Sequence, residues 1–322
     1  MKAIVATKYG SPDVLKLQEI DKPIPGDDRV LVKIRAASVN ALDWHVLRAK
    51  PFLVRFMGFG LVRPKRKVLG ADVAGTVESV GKNVKRFHPG DEVFGNQLGC
   101  FAEYVSVRES GLALKPANVT FEAAAAVPVA GVTALQGLRK MGHLRPGERV
   151  LILGASGGVG TFAVQLAKEL GADVTAVCST RNVDQVRSLG ADRVLDYTKE
   201  DFAQKGQLFD LILVVNGRYS LSKYKHALRP NGRCVMVGGG SLGQLFGGRI
   251  AWPLISGGKG SRFSSMMADI TPTELDFLRS LLEAGKLVPV VERRYPLTGV
   301  PDAIRYLETG HAQGKLVIVV SD

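Results

Sequence analysis

The sequence predicts a mixed α/β chain in which a region of short strands precedes a parallel sheet covered by helices. Three observations predict it. Residues 1–115 read as short strands punctuated by glycines at 70, 75, 81, 90 and 95, the spacing of a barrel or sandwich. After Pro146-Gly147, apolar strand patterns alternate with amphipathic helix patterns. The 322 residues exceed what one small core fills and suit two domains.

In the first region, Arg29 to Ala36 alternates with Val30, Val32, Ile34 and Ala36 on one face, a half-buried strand. Val68–Val80 and Phe101–Val107 are further strand candidates. Residues 122–140 are Ala-rich and helical, with Pro128 and Gly131 expected to break the run. Arg149–Leu153 reads as a strand and Val159–Leu170 as a helix, with Val159, Phe162, Ala163, Leu166, Ala167 and Leu170 on one face. Val174–Cys178, Val194–Leu195, Leu211–Val215 and Cys234–Val237 follow as strands, with helices from Asp184 and Ser222 between them. Gly238–Gly260 is Gly-rich and unpatterned. Thr271–Ala284 is a helix opening on Thr-Pro-Thr-Glu, Asp302–Glu308 another, and Lys315–Val320 a last strand.

Hydrophobic residues at 46% and charged residues at 23% exclude wholesale disorder. The longest apolar stretch, Ala123 to Leu135, contains Pro128 and is too short for a membrane span. Cys100, Cys178 and Cys234 are scattered and form no disulfide framework, so a reducing, cytoplasmic setting is expected. The formal charge of +13 suits nucleic acid, anionic lipid or an anionic cofactor. No RNA-binding motif or aromatic-basic platform accompanies it, so no nucleic-acid partner is expected.

The strongest local signal is Val150-Leu151-Ile152-Leu153-Gly154-Ala155-Ser156-Gly157-Gly158-Val159-Gly160, set between a strand and a helix. There a tight turn lets a dinucleotide pyrophosphate approach backbone N–H groups at a helix N-terminus. Side chains would block that approach, hence Gly157, Gly158 and Gly160. The next strand runs into Ser179-Thr180-Arg181-Asn182, with no acid between Asp173 and Asp184 to hold a ribose 2′-hydroxyl. Ser179 and Arg181 suit a 2′-phosphate instead, so NADPH is the expected cofactor.

Taken together, these residues resemble the zinc-independent quinone oxidoreductase branch of the medium-chain dehydrogenase/reductase superfamily, nearest to its plant chloroplast-envelope and bacterial members. The likeness includes Lys2-Ala3-Ile4, Ser38-Val39-Asn40-Ala41-Leu42-Asp43-Trp44, Leu69 to Gly75, Pro89 to Val93 and Pro128 to Ala134. It continues through the glycine loop, Leu189 to Asp192, Asp196-Tyr197, Asn216-Gly217 and His311 to Lys315. It implies a GroES-like β-barrel catalytic domain of residues 1–120 and 268–322. A Rossmann doubly wound parallel sheet, 121–267, is inserted in it. It also implies that Ser156, Gly157, Gly158, Val159 and Gly160 bind pyrophosphate, and that Ser179, Arg181 and Tyr197 surround the 2′-phosphate. Asn216 and Gly238 would line the nicotinamide ribose, and Asn40, Thr133 and Lys315 the nicotinamide end. A homodimer through an edge strand at 261–266 is a further implication. The usual Asn-Pro-x-Asp reads Asn40-Ala41-Leu42-Asp43 here, and His45 stands where relatives often carry lysine.

Asn40, Asp43, Trp44 and His45 are the expected catalytic segment, with Asn40 and backbone N–H groups as donors to the substrate oxygen and His45 as a candidate proton donor. No metal is expected. The ligand positions of zinc relatives hold Asn40 and Gly70-Ala71-Asp72, the four-cysteine lobe is missing, and Asp43, His45, Asp72 and Cys100 lack ligand spacing. The stretch 44–71 carries Arg48, Lys50, Arg55, Arg63, Lys65, Arg66 and Lys67 with no acid, interleaved with Phe52, Leu53, Val54, Phe56, Met57, Phe59 and Leu61. A solvated lid packing its apolar face on the barrel is expected, ahead of long apolar substrate recognition or an anionic membrane surface. The activity expected is NADPH-dependent hydride transfer to the activated C=C or C=O bond of a hydrophobic enone or quinone. An alcohol/ketone dehydrogenase and an NADPH-binding regulatory or RNA-binding protein are the alternatives.

Overall fold

The computed structural model describes residues 1–50, 52–57, 60–203, 208–217, 219–238, 251–253 and 260–320, with only the backbone of Leu53, Val54 and Met57. Most of the Gly-rich stretch 238–260 thus lies outside the described residues. The chain divides into two compact units, Met1–Ala130 with Ile270–Asp322, and Gly131–Asp269.

Lys2–Ala6 (β1) and Leu15–Glu19 (β2) pair as an antiparallel hairpin. Arg29–Val39 (β3), Asp72–Val80 (β4), Glu92–Asn96 (β5), Tyr104–Arg108 (β6) and Leu112–Leu114 (β7) form an antiparallel sheet with β3 paired to both β4 and β6. Helix Ala41–Arg48 (α1) leaves the end of β3, and a 3-10 turn, Phe52–Met57, follows it. The strand anticipated over Val68–Val80 begins only at Asp72, because Gly70 holds a left-handed φ of 91°. A Cβ there would sit 2.9 Å from the Phe101 backbone nitrogen, so only glycine fits.

The Ala-rich stretch is two helices, Phe121–Ala125 (α2) and Pro128–Gln136 (α3), followed by a π turn over Gly137–Met141. Pro128 interrupts it as expected; Gly131 does not, and lies inside α3. The division between units falls after Ala130, later than the change of sequence character near Phe121. Helix α2 packs on β3 and β4, and the Val129 N–H donates to Asp72, so both remain with the first unit.

The second unit follows the alternation read from the sequence. Strand Arg149–Leu153 (β8) leads into helix Gly158–Glu169 (α4), strand Asp173–Cys178 (β9) into helix Val183–Ser188 (α5), and strand Arg193–Asp196 (β10) comes next. Phe209–Val214 (β11), helix Leu221–His226 (α6), Leu228–Met236 (β12) and Arg262–Ser265 (β13) complete it. All pairings are parallel, in the order β10-β9-β8-β11-β12-β13. This is a doubly wound Rossmann sheet, whose order reverses between β8 and β11. Helix α4 is buried beyond the predicted stripe, with Thr161, Val164 and Gln165 also covered.

The return segment opens with helix Pro272–Glu283 (α7), capped at Thr271 with proline in its first turn and burying Leu275, Leu278, Leu281 and Leu282 at 3/4 spacing. Val291–Pro296 (β14), helix Val300–Glu308 (α8) and Lys315–Val319 (β15) follow. Strand β15 pairs antiparallel with β3, so the sheet runs β14-β15-β3-β4-β5-β7 with β6 against β3. The core beneath it includes Ile34, Val39, Val73, Phe101, Ile304 and Ile318.

Among the described residues of the second unit, the tightest backbone approach is at Gly160, where a Cβ would lie 2.1 Å from the Gly154 carbonyl oxygen. Gly160→Ala must push α4 off the end of β8. It is expected to cost about 2–3 kcal/mol, read as a lower urea midpoint with an unchanged m-value.

Candidate functional site

Each unit gathers polar groups at one end of its sheet. In the first unit the gathering is enforced by strand register. Ser38 stands opposite Asp72 in the β3–β4 ladder, and Leu316, next to Lys315, stands opposite Val39. Three separate stretches of the sequence therefore meet, bringing together Ser38 and Asn40, Asp72 and Lys315. All are buried, Asp72 completely and Lys315 to 3% exposure.

Asp72 accepts from the Ser38 hydroxyl at 2.6 Å, the Asn40 amide Nδ2 at 2.8 Å and the Val129 N–H at 2.9 Å. The Lys315 ammonium lies 3.5 Å from the same carboxylate. It donates to Asn40 Oδ1 at 2.5 Å and to the Val39 carbonyl at 3.3 Å. Burial pushes the Lys315 pKa down, and the Asp72 and Asp43 carboxylates oppose that shift.

This network alters the roles expected of Asn40 and His45. The Asn40 amide donates to Asp72 at 2.8 Å and, weakly, to the Ser38 carbonyl at 3.4 Å, while its oxygen takes the Lys315 proton. With those bonds in place the amide faces inward and holds the ammonium, and one of its two hydrogens is given to Asp72. His45 stacks on Trp44 with ring centroids 3.6 Å apart, and its Nδ1 lies 2.7 Å from the Lys50 carbonyl. Burial lowers its pKa, and the carbonyl partner favours the tautomer that carries its proton on Nδ1, which leaves a lone pair on Nε2.

Asp43 is 2% exposed and does a local task. It accepts the Asn40 N–H at 2.7 Å and the Gly70 N–H at 3.0 Å, closing the start of α1 onto the left-handed turn before β4. Burial pushes its pKa up to about 7.

The basic stretch after α1 is described apart from Pro51, Gly58, Phe59 and three side chains. Among its described side chains Phe52, Phe56, Leu61 and Val62 are exposed, and the expected packing of Leu53, Val54, Met57 and Phe59 lies outside the described residues. Phe52 and Phe56 meet edge to face, Arg55 lies over the rings of Phe52 and Tyr9, and the Tyr9 hydroxyl donates to the Gly60 carbonyl at 2.6 Å.

In the second unit the glycine loop sits where the strand order reverses. Gly154 has a φ of 81°, Gly157 is the N-cap of α4, and the helix begins at Gly158. The N–H groups of Gly154 and Ala155 both donate to the Val177 carbonyl, tying the loop to the neighbouring strand. The helix start is lined by Gly157 and Gly158, so an anion meets backbone N–H groups and the positive end of the helix dipole. Asn216 follows β11, and its backbone nitrogen lies 2.8 Å from where a Cβ on Gly154 would be. A Cβ on Gly238, beyond β12, would lie 2.8 Å from the Val215 carbonyl, so Asn216 and Gly238 flank the same strand ends.

Ser179 and Arg181 follow β9, and Arg181 is exposed. Asp196, at the end of β10, is the acid sequence reasoning left unweighed here. It accepts from the Thr180 and Thr198 hydroxyls and the Thr198 N–H, and these bonds hold its pKa down to about 2. Its oxygens are thereby engaged by the loop. Tyr197 beside it is 53% exposed. Thr133 is buried on α3. Asn182 was also missed: it is 4% exposed and donates to Ser156 Oγ at 2.9 Å and Ser179 Oγ at 3.2 Å, joining the two loops. No sequence motif marks it, because its partners come from different strand ends.

The residues fit a phosphate-bearing dinucleotide: a cradle that a Cβ would fill, a helix N-terminus and an exposed arginine, with the nearby carboxylate already bonded. They do not fit a catalytic zinc. Asn40 and Ala71 supply no thiolate or imidazole, and Asp43 and Asp72 are engaged by internal donors. Among the described residues no three His, Cys, Asp or Glu side chains gather to hold a metal ion. Among those residues, too, no helix is long and apolar enough to cross a membrane.

Stability near neutrality carries the Asp43 signature. Its folded pKa lies above the unfolded value, so the folded state binds the extra proton between about pH 4 and pH 7. Its contribution is full below pH 4 and is lost as pH rises through 7. Urea midpoints are expected to fall across that window, and Asp43→Asn to flatten the fall; equal slopes in the two proteins would refute the assignment.

Comparison with known proteins gives the family. A family model described as "Alcohol dehydrogenase GroES-like domain" matches residues 26–117, and one described as "Zinc-binding dehydrogenase" matches residues 189–318. The chain is 39% identical to the 2-methylene-furan-3-one reductase of Solanum lycopersicum, over 99% of this chain and 79% of that one. It is 36% identical to the NADPH-dependent alkenal/one oxidoreductase, chloroplastic, of Arabidopsis thaliana, again over 99% and 79%. The solved structure of the quinone oxidoreductase from Coxiella burnetii superposes with a TM-score of 0.88 at 31% identity, over 100% of this chain and 99% of that one. With its barrel-type sheet, its inserted Rossmann unit and relatives this similar along nearly its whole length, the chain belongs to the medium-chain dehydrogenase/reductase superfamily, in its quinone oxidoreductase branch.

Proposed function

We propose that this protein is an NADPH-dependent reductase of activated C=C and C=O bonds, acting on hydrophobic enones or quinones without a metal. The observation that carries the reading is the glycine-lined start of α4 beside exposed Arg181, with Asp196 consumed by threonines. Relatives named as an NADPH-dependent alkenal/one oxidoreductase and a quinone oxidoreductase support it. In this reading Ser156, Gly157, Gly158, Val159 and Gly160 bind pyrophosphate, and Ser179, Arg181 and Tyr197 take the 2′-phosphate. Asn216 and Gly238 line the nicotinamide ribose, and Thr133, Asn40 and Lys315 the nicotinamide end. The catalytic unit is Met1–Ala130 with Ile270–Asp322, and the nucleotide unit is Gly131–Asp269.

NADPH, when bound, supplies the hydride. The chain's own residues bind, orient and exclude. Asn40 and Lys315 present a rigid, fully bonded face. Trp44 and His45 offer a stacked wall, and the exposed Phe52, Phe56 and Leu61 favour large apolar substrates. Negative charge developing on the substrate oxygen is met by backbone N–H groups, and water delivers the proton. A conjugated acceptor spreads that charge, so modest donors suffice; an alkoxide from a simple alcohol needs stronger help, which zinc provides in other enzymes. A homodimer through β13 belongs to the same proposal: Arg262–Ser265 pairs with β12 on one side and ends the described sheet on the other. So does a reducing, cytoplasmic setting, for which the three buried free thiols speak.

Two measurements test the reading. Purified protein is expected to oxidise NADPH with enones or quinones and to reduce little NADP⁺ with simple alcohols, before and after chelation; alcohol oxidation alone would reject it. Arg181→Ala is expected to weaken NADPH binding about tenfold while leaving NADH nearly unchanged, as measured by calorimetry. Equal losses for both cofactors would remove the 2′-phosphate assignment.

A further inference from the structure

We propose that Asn182 is a positioning residue for the nucleotide: its amide fixes the direction in which the Ser156 and Ser179 hydroxyls donate, and so couples the pyrophosphate loop to the 2′-phosphate loop. The inference rests on the reading of those loops given above. Asn182 is 4% exposed, and its Nδ2 donates to Ser156 Oγ at 2.9 Å and to Ser179 Oγ at 3.2 Å. An amide NH₂ only donates, whereas a hydroxyl has one proton and two lone pairs. Each serine therefore spends a lone pair on Asn182, and its own proton must point elsewhere. Both serines are half-buried, so the outward direction is one that a bound phosphate oxygen can reach.

The opposite orientation of the amide would let its oxygen accept from both serines, turning their protons inward. It would also bury an NH₂ with nothing to receive its hydrogens. The orientation present leaves only Asn182 Oδ1 buried and unpartnered, an acceptor rather than two donors, and the lesser cost. The backbone beneath the side chain is fixed, because the Asn182 N–H donates to the Ser179 carbonyl at 2.9 Å, and the side chain, at the N-cap position of α5, makes no cap bond and is left to the two serines. One buried amide thus orients two donors that arise at the ends of different strands, β8 and β9.

The test is calorimetric titration of the full-length protein with NADPH and with NADH, after thermal melts confirm that each variant is folded. Asn182→Ala is expected to raise the Kd for NADPH about tenfold and that for NADH by less, since only the Ser156 donor serves NADH. In a Ser156→Ala/Ser179→Ala background the same change is expected to matter less than about twofold, because no hydroxyl remains to orient. Asn182→Asp fills the same volume but can only accept, so it draws both serine protons inward and is expected to weaken NADPH at least as much. A Kd within twofold of the unaltered protein for either Asn182 variant overturns the proposal. So does a tenfold loss that persists in the serine-free background, which marks a structural role alone. If the serine double variant itself leaves both Kd values unchanged, the reading of the loops fails and this proposal falls with it; an effect of the serines without one of Asn182 sinks the proposal alone.

Discussion

Burying the Asp72 carboxylate beside the Lys315 ammonium is the constraint around which the first unit's polar end is built. Removing two ions from water costs several kcal/mol each, and only close geometry with further hydrogen bonds repays it. That geometry is present: Asp72 takes three donors besides the ammonium, and Lys315 is shared among Asp72, Asn40 and the Val39 carbonyl. The partners come from four elements: Ser38 and Val39 close β3, Asp72 begins β4, Lys315 begins β15 and Val129 lies in the first turn of α3. Breaking one link would leave a buried charge exposed to no compensating partner, so the four elements hold one another in register.

The same network explains why Asn40 faces inward. An amide presents a donor and an acceptor a fixed distance apart, and Asp72 and Lys315 need one of each. Asn40 answers both at once through one short planar group. The residue that stands at a metal-ligand position of zinc relatives serves here as the neutral bridge of an ion pair.

The second unit solves a different problem, the placing of backbone N–H groups where negative charge arrives. Reversal of strand order between β8 and β11 opens a crevice at the strand ends, and α4 points its N-terminus into it. The acid at the neighbouring strand end, Asp196, is ionised, held by its own loop and with the Lys199 ammonium 3.7 Å away. Two threonine hydroxyls and an N–H already occupy its oxygens.

Local pattern determined much of this protein. The alternation of Val30, Val32 and Ile34, the 3/4 spacing in α4 and α7, Pro128 and the glycine loop each act within a few residues, so the elements and the phosphate cradle were readable without a fold. Where the local pattern was weak the reading stopped: β14 carries Glu292, Arg293 and Arg294 in succession, which hides a strand that pairs with β15. Gly131 sits inside α3, where its low helix propensity did not end the helix. The direction of each functional side chain was decided only by tertiary structure. Whether Asn40 donates outward or bridges inward depends on Lys315, hundreds of residues away. Which nitrogen of His45 holds the proton depends on the Lys50 carbonyl, and the hydroxyls of Ser156 and Ser179 are linked only through Asn182. Hydrogen-bond polarity is a property of pairs. The pairs here form across strand register and loop packing, which a linear sequence does not contain.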